Sequence, residues 1–125
     1  MASKRILLVE DNEVNMRLVK LTLKNQSYDF IEATNGEDAI ELAKDREPDL
    51  IILDIQLPKM DGYEVARTLK ASETLNHIPI IGLTAHAMKG DEERVLDAGC
   101  NAYVSKPLDT NQFRALVRSF LEKKD

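Results

Sequence analysis

The chain has 125 residues and a net charge of −5, with 43% hydrophobic and 31% charged residues. That length suits one domain, residues 1–125, with a single sizeable core and no room for a second, output-type domain. Acidic groups outnumber basic ones, so the positive footprint of direct nucleic-acid binding is missing, and no apolar run matches a signal peptide or the roughly 20 residues of a membrane span. The single cysteine, Cys100, cannot form an internal disulfide and suits a reducing cytoplasm.

In chain order, the apolar run Ile6 to Val9 predicts a first strand, followed by a helix whose apolar positions Val14, Leu18 and Leu21 recur at helical spacing. A weaker, charge-interrupted strand over Tyr28 to Ala33 precedes a helix carrying Ala39, Ile40 and Ala43. Leu50 to Leu53 reads as a buried third strand, after which Asp61 and Glu64 form a capping-box pair opening a helix in which Val65 and Leu69 stand at helical spacing. Ile80 to Leu83 is the fourth strand, with Pro79, which has no N–H to donate, expected at its first residue. Gly99 is a natural stop for the fourth helix, and Ala102 to Val104 is the fifth strand. Asp109 and Gln112 open the fifth helix, where Phe113, Leu116, Val117, Phe120 and Leu121 trace an amphipathic stripe.

Strict alternation of strand and helix predicts an α/β fold, (βα)₅: a doubly wound, five-stranded parallel sheet with helices on both faces. The continuous apolar runs of strands 1, 3 and 4 suit the centre of the sheet, and the charged strand 2 suits an edge.

Ligands of open parallel sheets bind beyond the carboxyl ends of the strands. There the sequence places Glu10 and Asp11 after strand 1, Asp54 after strand 3, Thr84 after strand 4, and Ser105 and Lys106, then Pro107, after strand 5. Taken singly, each residue has an ordinary structural role: Asp11 at a helix start, Asp54 capping a turn before Pro58, Thr84 as a helix cap, Lys106 in a loop. Together they gather three carboxylates, a hydroxyl and an ammonium at one edge. Carboxylates brought together repel, and a hard divalent cation such as Mg²⁺, with its preference for oxygen ligands, relieves that repulsion. Three negative charges then balance two from the metal and one from Lys106. A carboxylate in such a site needs no helper base to attack phosphorus, and phosphoryl transfer asks chiefly for positioning and charge neutralisation.

At these residues the sequence resembles the response-regulator receiver (CheY-like) family over essentially its whole length. The matching segments are ILLVEDN (6–12), DLIILDIQLPKMDG (49–62), IPIIGLTAHA (78–87) and AYVSKP (102–107). The resemblance implies a flavodoxin-like 2-1-3-4-5 strand order. It implies that Asp54 accepts a phosphoryl group from a histidine kinase or histidine phosphotransfer protein. Mg²⁺, or Mn²⁺ as a substitute, would be held by Asp11, Asp54 and the backbone carbonyl of Gln56, with Glu10 acting largely through water. Lys106 would contact the phosphoryl oxygens, and a cis Lys106–Pro107 bond is common in such chains. Gln56 is less usual than Asn or Met at its position, a departure that bears on the dephosphorylation rate. Thr84 and Tyr103 would form the switch, remodelling the face of helix 4, strand 5 and helix 5 for a downstream protein.

With no DNA-binding or enzymatic segment after Asp125, output is expected through protein contacts or onward phosphotransfer. The chain looks like stand-alone regulators of the DivK type, especially in NHIPIIGLTAHAMKGDEER; the alternative is a receiver excised from a hybrid histidine kinase, which the MASKRILL start disfavours. Two other classes fit less well. His86, Lys89 and Gly90 are similar to the H-x-x-K-G signature of histidine phosphotransfer bundles, but such bundles lack strands. Aspartyl-phosphate hydrolases of the haloacid dehalogenase type carry a second acid where this chain has Gln56, so the protein is expected not to be a turnover enzyme.

Overall fold

Five strands and five helices alternate along the chain in the computed structural model, which describes residues 4–24, 28–57, 61–84, 91–105 and 109–121. The order is β1 (Lys4–Val9), α1 (Glu13–Leu23), β2 (Tyr28–Ala33), α2 (Gly36–Arg46), β3 (Leu50–Asp54), α3 (Gly62–Ala71), β4 (Ile80–Thr84), α4 (Asp91–Asp97), β5 (Ala102–Ser105) and α5 (Thr110–Leu121). All pairings are parallel and the sheet order is β2-β1-β3-β4-β5, so the charged strand lies at an edge and the three apolar strands at the centre, as expected.

Alternation along the strands divides the core in two. Leu7, Val9, Ile51, Leu53 and Ile80 face one side, where Ala39 and Ala43 of α2, Val65 and Leu69 of α3, and Val95 of α4 cover them. Ile6, Leu8, Leu50, Ile52, Ile81 and Leu83 face the other, beneath Met16, Val19 and Leu23 of α1 and Phe113, Val117 and Leu121 of α5. Each fully buried Leu, Ile or Val contributes roughly 1.5–3 kcal/mol of transfer free energy, enough for this pattern to dictate the strand register.

At two helix starts the cap-accepting half of the expected pair is present. Asp61 accepts from the Glu64 N–H at 2.9 Å, and Asp109 from the Gln112 N–H at 3.0 Å. Gly99 takes φ +114°, a conformation that suits glycine, just past the end of α4. The Lys70 ammonium donates to the Asn76 and Ile78 carbonyls and to Asn101 Oδ1, tying the α3–β4 and α4–β5 connections together at the amino edge of the sheet.

One expectation is corrected. Pro79 precedes β4 by one residue instead of opening it, and its carbonyl already accepts from the Ile51 N–H at 3.0 Å. The stripe Val14, Leu18 and Leu21 does lie on a helix, α1, but on its outer side: these residues are 74%, 52% and 61% exposed, and Met16, Val19, Thr22 and Leu23 are the buried ones. Both stripes satisfy a 3.6-residue period, and only the second meets the sheet.

Candidate functional site

Backbone pairing carries the acids to one edge. The Glu10 N–H donates to the Ala33 carbonyl at 3.0 Å, extending the β1–β2 ladder one residue beyond the strand, and Glu10 is only 4% exposed. Asp54 closes β3 in register with Leu83 and is 3% exposed. The next residue continues the ladder, Ile55 N–H to the Leu83 carbonyl at 2.9 Å, which ties the end of β3 to β4.

Carboxylate oxygens of Glu10, Asp11 and Asp54 lie within 4.8 Å of one another. This is the cluster that the strand ends predicted. Its donors are all hard oxygens, and three carboxylates so close repel unless a cation lies among them, so the residues fit a divalent metal such as Mg²⁺. Gln56 contributes its backbone N–H to Asp54 Oδ1 at 2.9 Å, fixing the carboxylate's rotation, while its own side chain is exposed. The β3–α3 connection turns back tightly here, with the Gly62 N–H on the Ile55 carbonyl at 2.8 Å. A Cβ at Gly62 would stand 2.4 Å from Ile55 Cα and 2.7 Å from the Asp54 carbonyl oxygen, both backbone atoms that cannot yield.

Thr84 ends β4 and is buried, one residue beyond the position paired with Asp54. Tyr103 in β5 pairs with Gly82, is half-buried, and packs against the core on the α2–α4 side. Ser105 ends β5 opposite Thr84. Lys106, the Lys106–Pro107 bond and His86 lie outside the described residues.

Two contributors escaped sequence reading. Asn12 caps α1, its side chain accepting from the Asn15 N–H at 3.0 Å. Its backbone N–H, together with the Asn15 carboxamide, is directed at Glu10 Oε1, at 3.3 and 3.4 Å. An Asn before a helical run signals a cap, but nothing in the spacing of Asn15 says that it turns back toward an acid five residues earlier.

Comparison with known proteins agrees with this geometry. The response regulator receiver domain model matches residues 6–118. The chain is 47% identical over 118 residues to the polar-differentiation response regulator DivK of Brucella anthropi, covering 94% of this chain and 96% of that protein. It is similar to the receiver domain of a sensor histidine kinase from Pseudomonas aeruginosa PAO1, crystallised with a magnesium ion coordinated in its active-site cleft: TM-score 0.88, 35% identity, 98% of this chain and 100% of that one. A Mn²⁺-bound response regulator superposes with TM-score 0.83 at 30% identity, over 98% of this chain and 97% of that one.

Proposed function

The chain belongs to the response-regulator receiver family, and from that premise we propose that it is a single-domain phosphoryl acceptor in which Asp54 takes a phosphoryl group from a phosphohistidine of a histidine kinase or histidine phosphotransfer protein. The observation that carries this reading is the convergence of Glu10, Asp11 and Asp54, with the nucleophile candidate buried at the end of a central strand.

Asp54 attacks phosphorus through a carboxylate oxygen as the donor's phosphorus–nitrogen bond breaks, and the departing imidazole nitrogen takes up a proton from solvent. Asp11 and Asp54, with the Gln56 backbone carbonyl and with Glu10 acting largely through water, would hold Mg²⁺, or Mn²⁺ in its place. When bound, the cation neutralises charge on the non-bridging phosphoryl oxygens. The Gln56 N–H keeps Asp54 oriented for attack. Lys106 binds the phosphoryl oxygens, and the Thr84 hydroxyl moves toward them. Tyr103 then turns inward, remodelling the α4–β5–α5 face for a downstream protein. Gln56 stands where hydrolases carry an acid, so the acyl phosphate is discharged slowly and the protein is not a turnover enzyme.

A protein donor has a surface to meet. Val14, Leu18 and Leu21 form an exposed apolar stripe on α1, whose first residue, Glu13, follows closely on Asp11. Phosphotransfer of this kind, together with a single cysteine that suits a reducing compartment, supports a cytoplasmic location.

The deciding experiment is intact-mass measurement after incubation with acetyl phosphate and Mg²⁺. Wild type gains one phosphoryl group and Asp54→Asn gains none; equal gains in both would overturn the assignment.

A further inference from the structure

The first turn of α1 uses its capping groups in an unusual way. In a capping box, the cap side chain accepts from the N–H three residues on, and the side chain at that third position accepts in return from the cap's own N–H. Here the first half is present: Asn12 Oδ1 accepts from the Asn15 N–H at 3.0 Å. The second half is redirected. The Asn12 N–H goes to Glu10 Oε1 at 3.3 Å, and Asn15, at the position where a capping box carries an acceptor, donates Nδ2 to the same oxygen at 3.4 Å. Glu10 has thus taken over the acceptor role, and Asn15 has become a second donor.

From this we infer that Asn15 is a positioning residue of the metal site: its carboxamide, with the Asn12 N–H, holds the buried Glu10 carboxylate in the orientation that the cation requires. The inference rests on the metal-binding reading above. A glutamate has three side-chain torsions to fix, and two donors on one oxygen fix them before the cation arrives, so less ordering entropy is left to be lost on binding. The residue type matters. A lysine or arginine here would steady Glu10 but compete with the cation for the acids, and an aspartate or glutamate would add a fourth negative charge to a cluster already within 4.8 Å. A carboxamide donates without either cost. Because Asn15 also lies within α1, next to the exposed Val14, the contact locks the first turn of that helix to the acid cluster.

The test is a double-mutant cycle on Mg²⁺ affinity, measured by calorimetry on the full chain for wild type, Asn15→Ala, Glu10→Ala and the double variant, with thermal melts in EDTA confirming that each folds. Asn15→Ala is expected to weaken Mg²⁺ binding by about tenfold, the lower end for residues that orient metal ligands. It should likewise raise the Mg²⁺ concentration giving half-maximal phosphorylation by acetyl phosphate. In the Glu10→Ala background, removing Asn15 should cost nothing further. Unchanged affinity in Asn15→Ala, or an equal loss with and without Glu10, would overturn the role assigned to Asn15 while leaving the metal site standing. Failure of the wild type to bind Mg²⁺ would overturn the metal-binding reading itself.

Discussion

Cys100 shows how burial sets the chemistry of a reactive side chain. The thiol lies in the core beneath α4, and burial pushes its pKa up from 9.0 to about 12, against a smaller pull downward from the Lys70 ammonium. The sign follows from linkage. The buried neutral thiol contributes stability that is fully present below its unfolded value near 9 and is lost as pH climbs toward 12. Lys70, held below its ordinary value by burial, has the opposite slope, so a change in reactivity is the cleaner readout. Since the thiolate is the reactive species, native Cys100 is expected to resist a thiol reagent at pH 8 and to react promptly in denaturant. Fast stoichiometric labelling of the native protein would contradict its burial.

At the scale of an element, α1 is the instructive case because it is amphipathic twice over. Met16, Val19 and Leu23 meet Ile6, Leu8 and the α5 face, whereas Val14, Leu18 and Leu21 meet solvent. Met16→Ala should therefore cost about 2–5 kcal/mol in denaturant unfolding, as deletion of a buried side chain does, and Leu18→Ala no more than about 0.5 kcal/mol. If the outer stripe receives the phosphodonor, Leu18→Asp will slow phosphotransfer from a histidine phosphotransfer protein and leave phosphorylation by acetyl phosphate unchanged. Equal slowing with both donors would remove the stripe from the donor interface.

For the whole molecule, the acid cluster is a local cost that a bound cation offsets. Mg²⁺ at a hundredfold excess over its dissociation constant should stabilise the native state by about 2.7 kcal/mol, visible as a rise in melting temperature relative to EDTA. Asp11→Asn should lose most of that rise, and a full rise in the variant would exclude Asp11 as a ligand. The proposed switch separates phosphorylation from its consequence. Lys106→Ala is expected to accept the phosphoryl group and yet leave the amide resonances of β5 near their resting positions. Wild-type-like shifts on phosphorylation would refute that coupling role.

Much of this molecule is legible in one dimension. Continuous apolar runs at Ile6, Leu50 and Ile80 marked central strands, because a strand buried on both faces has no polar side to show; the charges of β2 marked an edge. Parallel strands all end at one side of the sheet, so the positions of Glu10, Asp11 and Asp54 in the sequence already implied that they meet. What only the tertiary structure decided was which of two equally periodic faces of α1 turns inward, and that Asn15 reaches back to Glu10. Periodicity specifies that a helix has a face but not which neighbour it packs against. A side-chain hydrogen bond depends on rotamers and separations that exist only once β1 and α1 have been set at their angle by the packed core.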